Sequence, residues 1–163
     1  MNTKKLVLCG LLAGIVTVLT LIVIPLPIST GYVNLGDAGV FLAAGMVGGV
    51  WGMLCAGLGS AIADLVLGYA VYAPATFLIK ALAAGAFIAL GKRLKGGYRF
   101  AALLIAALVV PAGYFLYESA VVLKSASAAL VNVPFNLLQA FIGAVLGFVL
   151  LNVAQRVFPE NRP

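Results

Sequence analysis

Three carboxylates and one ammonium stand inside, or at the edge of, long apolar runs of this chain: Asp37, Asp64, Glu118 and Lys80. Charge in such surroundings is costly, which makes each a candidate for function. The amides Asn132, Asn136 and Gln139 share that setting. Helical spacing groups these residues further. Ser60 and Asp64, Thr76 and Lys80, Tyr114 and Glu118, and Asn132 and Asn136 are each four apart, and residues at that spacing share a helix face. Gln139 continues the last stripe, which then turns small at Gly143 and Gly147. Tyr69, Tyr72, Tyr114 and Tyr117 fall at the same level. Flat rings beside a few hydrogen-bonding groups suit a small, flat, polar ligand such as a heteroaromatic ring. Histidine is absent, which removes the commonest general base and the commonest metal ligand together. No catalytic residue, metal site or cofactor is expected.

Each group also has a plainer use. Asp37 suits a helix N-cap, favoured by the macrodipole. Asp64 and Lys80 are placed to form an ion pair between neighbouring helices. Glu118 and Lys124 suit interfacial charges, the tyrosines an aromatic belt, and the asparagines interhelical hydrogen bonds. None of these uses explains why all of them gather on one side.

The elements that must position these groups are membrane helices. Of 163 residues, 64% are apolar and 9% charged, against about 45–50% and 25% in soluble domains. A span needs about 20 mostly apolar residues. Six spans are expected at 5–24, 37–50, 52–68, 75–90, 100–123 and 129–153, with a kink at Pro111. The first is read as a retained helix, because a signal peptide has a shorter apolar core and a cleavage site. With six spans, one side of the membrane receives Lys4, Lys5, Lys92, Arg93, Lys95, Arg99, Arg156 and Arg162, and the other only Lys124. The positive-inside rule then gives an all-α, six-transmembrane-helix bundle with both termini cytoplasmic, forming one integral membrane domain over 1–163. The net charge of +6 therefore reports topology rather than nucleic-acid binding. On this reading every candidate polar residue lies in the outer half of the membrane, lining a water-accessible pocket closed toward the cytoplasm.

Cys9 and Cys55 lie in apolar runs and behave as small hydrophobes. Gly57-Leu-Gly59 begins a dinucleotide fingerprint, but no strand precedes it. Gly91-Lys92 lacks the remaining residues of a phosphate loop, with Ala86 and Arg93 where Gly and Ser or Thr are needed. On the first helix Gly10 and Gly14 form a small-xxx-small pair, and Cys9, Ala13 and Thr17 a second stripe beside it. Such stripes let another helix approach closely, either within this bundle or on a partner membrane protein.

The stretch Asn34-Leu-Gly-Asp37-Ala-Gly-Val-Phe-Leu-Ala-Ala, continuing to Gly59-Ser-Ala-Ile-Ala-Asp64-Leu-Val-Leu-Gly-Tyr69-Ala-Val-Tyr72-Ala-Pro74-Ala-Thr76-Phe-Leu-Ile-Lys80, resembles the S components of energy-coupling factor (ECF) transporters. It is most similar to the branch associated with hydroxymethylpyrimidine and vitamin B6 compounds. The resemblance implies a six-helix, vitamin-binding subunit in a bacterial plasma membrane. It further implies partners: a membrane coupling subunit and two cytoplasmic ATPase subunits that consume the ATP. The first helix would present Gly10, Ala13, Gly14 and Thr17 to the coupling subunit, although Thr17 stands where Ala is usual. The loop from Pro25 to Gly36 would cover the ligand, and delivery would proceed by toppling of the subunit in the membrane. The substrate-binding set is then Asn34, Asp37, Asp64, Tyr72, Thr76, Lys80, Tyr114, Glu118, Asn132, Asn136 and Gln139. In it Asp64 and Lys80 are expected to neutralise one another in part and to bond the ligand's ring substituents.

Two readings of other classes remain open at this point. A stand-alone, ion-coupled transporter would use Asp64 and Glu118 as proton carriers, but the chain shows no internal repeat, and its charges lie off-centre. A membrane scaffold would bind no small molecule.

Overall fold

The computed structural model describes residues 3–25, 32–93 and 98–158. The first helix, α1, runs Thr3–Leu21. A short hairpin follows, β1 (Val23–Pro25) paired antiparallel with β2 (Tyr32–Asn34), Val23 opposite Asn34. The sequence reading treated this region as loop. Its central part, 26–31, lies outside the described residues.

All twelve residues of α2, Gly36–Val47, are buried. A helix apolar all round has no face to offer water and belongs in a core, and α2 packs against α1, α3, α4 and α8. At about 1.5 Å per residue it reaches only ~18 Å. Gly48 and Gly49, both at positive φ (66° and 57°), turn the chain directly into α3, Gly49–Val66. Left-handed backbone is open to glycine without steric cost.

Helix α4 covers Ala73–Arg93, with Pro74 in its first turn, where no N–H is needed. The next apolar stretch is broken, as the proline implied. α5 (Arg99–Ala107) and α6 (Val109–Tyr117) meet at Leu108, because Pro111 cannot donate to the carbonyl four residues earlier. A π-helical turn, Glu118–Val122, extends α6. The expected sixth span was continuous from residue 129. Instead α7 (Ala126–Leu130) ends before α8 (Val133–Val157) begins, and Pro134 marks the new start.

Five stretches among the described residues are long and apolar enough to cross a membrane: Thr3–Leu21, Gly49–Val66, Ala73–Lys92, Arg99–Val122 and Ala126–Val157. The helix Gly36–Val47 is apolar but shorter. Phe41, Leu103, Leu151, Val16 and Val40 are fully buried, whereas Leu65, Leu78, Leu82, Leu138 and Phe141 are exposed. That outward apolar face suits lipid rather than water.

Candidate functional site

The polar residues gather at one end of the bundle, around the start of α2. Asp37, in its first turn, is fully buried and faces Lys80 from the second turn of α4, with 2.5 Å between Lys80 Nζ and Asp37 Oδ1. The other carboxylate oxygen, Oδ2, accepts a hydrogen bond from Gln139 Nε2 of α8 at 3.0 Å. Gln139 Oε1 in turn accepts the backbone N–H of Asn34 at 3.0 Å. Asn34 Oδ1 accepts the Gly36 N–H at 2.8 Å, a local turn that fixes the entry into α2. A carboxylate at a helix N-terminus is favoured by the helix dipole, so Asp37 is held by dipole, amide and ammonium at once. Close packing permits this. A Cβ placed on Gly143 of α8 would collide with the Asp37 side chain, so only glycine lets α8 come near enough for Gln139 to reach.

Beyond Lys80 lies an aromatic wall. The ammonium sits 5.4 Å from the centre of the Tyr114 ring, a cation–π distance. Thr76 Oγ1 and the Tyr114 hydroxyl are 2.9 Å apart. Tyr72 meets Tyr114 at 6.5 Å between ring centres, Tyr117 at 5.9 Å and Tyr69 at 6.2 Å. The Tyr117 hydroxyl donates to the Val71 carbonyl at 2.5 Å, tying the end of α6 to the α3–α4 turn. Glu118, 5% exposed, accepts from Asn132 Nδ2 at 3.0 Å and hydrogen-bonds the Tyr72 phenol. Burial, and next the Glu118 charge, push that phenol up to about 12, so it stays a protonated donor at any physiological pH.

Most of the expected residues thus meet: Asn34, Asp37, Tyr72, Thr76, Lys80, Tyr114, Glu118, Asn132 and Gln139 form one connected polar and aromatic cluster. One pairing was not anticipated: Lys80 is bonded to Asp37, because the Thr76–Lys80 face reaches α2 and α6. Asp64 is buried at 3% exposure on α3, one turn beyond Ser60, whose hydroxyl finds no partner among the described residues. Asn136 is half-buried and donates its backbone N–H to the Asn132 carbonyl at 3.0 Å.

The small residues of α1 separate into two faces. Gly10 and Gly14 are exposed, with open space where a Cβ would stand. Ala13 and Thr17 are half-buried and turn to α3, the Thr17 hydroxyl donating to the Gly59 carbonyl at 2.9 Å. At the opposite end of the bundle a second polar link went unforeseen. Arg99 Nη1 donates to Gln155 Oε1 at 2.7 Å, and Gln155 Nε2 to the Gly45 carbonyl at 3.2 Å. The only cue in the sequence was one glutamine beside a cytoplasmic-type arginine.

Residues 1–156 match the family model described as ECF-type riboflavin transporter, S component. The chain belongs to that family. It is thus a multi-pass membrane protein of a transporter family, and the family is not one of enzymes. An uncharacterized protein of Pyrococcus woesei is 34% identical over 137 residues, which is 81% of this chain and 88% of that protein. The S component described under "Structure and mechanism of the S component of a bacterial ECF transporter" superposes with a TM-score of 0.76 over 96% of each chain. At 23% identity that likeness establishes the S-component fold and nothing about the ligand.

Proposed function

We propose that this S component captures a small, water-soluble vitamin or precursor built on one flat heteroaromatic ring, a vitamin B6 compound or hydroxymethylpyrimidine, from outside the cell. The reading takes six spans with both termini cytoplasmic, which puts the Asp37–Lys80 end outward and the Arg99–Gln155 end inward. A membrane coupling subunit and two cytoplasmic ATPase subunits would supply the energy, and the subunit would topple to release its ligand. The observation that carries this is the gathering of Asp37, Lys80, Gln139, Glu118 and Asn132 with four tyrosines at the end opposite Lys4, Lys5, Lys92, Arg99 and Arg156.

The family description names riboflavin, a three-ring ligand. The single-ring reading draws support from the tightness of the cluster, in which Lys80, Asp37 and Gln139 already bond one another and leave Tyr72 and Tyr114 as the flat walls. The neutralised Lys80–Asp37 pair also supports toppling, since an unpaired charge would be penalised near the bilayer centre. An ion-coupled carrier working through Asp64 and Glu118 draws less support, because the chain shows no internal repeat of the kind such carriers are built on.

The test is titration calorimetry of the purified chain in detergent with pyridoxine, pyridoxal, pyridoxamine, hydroxymethylpyrimidine, riboflavin and thiamin. One-to-one binding of a B6 compound or of the pyrimidine, without partner or ion gradient, is the expected result. Binding of riboflavin alone would move the substrate to the three-ring ligand. Binding of none would end the vitamin reading.

A further inference from the structure

The site holds two differently treated carboxylates. Asp37 is neutralised by Lys80. Glu118 is 5% exposed, yet its bonds come from the neutral amide of Asn132 and the phenol of Tyr72, and no ion pair reaches it among the described residues. The sequence offers no other cation in reach. Segment 26–31 contains no lysine or arginine, and the basic residues besides Lys80 and Lys124 fall toward the other end of the helices. Lys124 is exposed at a positive-φ position beyond the π-helical turn. Burying an ionised carboxylate with only neutral donors is unfavourable, and a positive charge arriving beside it relieves that penalty as a bound proton does.

The surroundings suit such a visitor. Tyr72, bonded to Glu118, stands at 75° to Tyr69 and 66° to Tyr117, with ring centres 6.2 and 5.9 Å away. Tyr69 and Tyr117 thus flank the ring that is bonded to the Glu118 carboxyl, and a cation placed over such ring faces is attracted by them. All three rings are half-buried, so the group is reachable from its end of the bundle. The residue also sits on a π-helical turn, a backbone form that is often found at functional sites.

We propose that Glu118, with Tyr69, Tyr72 and Tyr117, is a cation subsite of this cluster, and that the natural substrate carries a positively charged nitrogen, as a protonated amine or a protonated or alkylated ring nitrogen. This rests on the vitamin-capture reading and narrows it: among compounds of one ring skeleton, the aminomethyl form is preferred over the hydroxymethyl form. It also sets the chain apart from a receptor for neutral riboflavin.

The experiment compares matched probes on the full chain in detergent: pyridoxamine against pyridoxine, and the aminomethyl against the hydroxymethyl form of the same pyrimidine. The cationic member of a pair should bind about tenfold tighter or more, the scale of one charge-assisted bond plus cation–π contact. E118Q, which keeps the size, an oxygen to accept from Asn132 and an NH2 that can donate to the Tyr72 hydroxyl oxygen, should erase that preference while leaving the melting temperature close to wild type. Equal affinity within the pairs, a preference that survives E118Q, or binding of riboflavin alone would overturn the cation subsite and leave ligand capture standing. Failure to bind any probe would overturn both.

Discussion

Lys80 is the residue on which the site turns. Its side chain is 1% exposed and its ammonium is shared between a carboxylate and an aromatic face, so removing either charge strands the other in a dry interior. Lys80→Met should cost about 3–5 kcal/mol, and Asp37→Asn a similar amount. The double variant should recover much of that stability without recovering ligand binding. Thermal unfolding in detergent checks this, and single variants no worse than the double would show that the pair is not coupled. The candidate residues were legible in the sequence because charge in an apolar run is conspicuous. Their pairing was not. Asp37 and Asp64 are both buried carboxylates on helices next to α4, and periodicity ties each to its own helix without showing that Asp37 lies within reach of a lysine on α4. Gln139 was visible as a polar residue, but its bridge from Asp37 to the backbone of Asn34 depends on a tertiary contact.

At the scale of elements, close helix contacts set the geometry. Gly143 should tolerate no side chain: Gly143→Ala would force Asp37 and α8 apart, costing about 1–3 kcal/mol and weakening ligand binding. Gly10→Ala, with open space around it, should change neither in the isolated chain. Melting temperatures and calorimetry on the two variants separate these outcomes, and equal behaviour would refute the packing argument. Thr17→Val should cost about 1 kcal/mol through the lost bond to Gly59, with ligand affinity unchanged. The long apolar runs made most helices legible, and Pro111 announced the break at Leu108. The break before α8 was overlooked, although Pro134 suits a helix start as well as Pro74 does. The β1–β2 hairpin had no cue strong enough to stand out, because three-residue strands carry too little alternation to register.

At the scale of the molecule, the two ends are chemically distinct, the buried ion pair near one and Lys4, Lys5, Lys92, Arg99 and Arg156 near the other. Orientation is open to a direct test. In a background lacking Cys9 and Cys55, a cysteine at Ser127 should be labelled from outside intact cells, and one at Arg156 only after permeabilisation. The reverse pattern would invert the topology. The burial of α2 also bears on how the chain enters the membrane. Twelve residues are too few to hold an isolated helix across a hydrocarbon layer of about 30 Å, so α2 crosses only as part of the bundle, where every one of its residues is buried. The helix therefore has no stable transmembrane state of its own when it leaves the ribosome. It must wait for α3, joined to it through Gly48 and Gly49, and enter as the inner arm of a helical hairpin. Nascent chains released after Gly48 should leave α2 accessible to protease, and chains released after Tyr69 should protect it. The most buried helix, which carries Asp37, would then take its place only together with the helix that follows it.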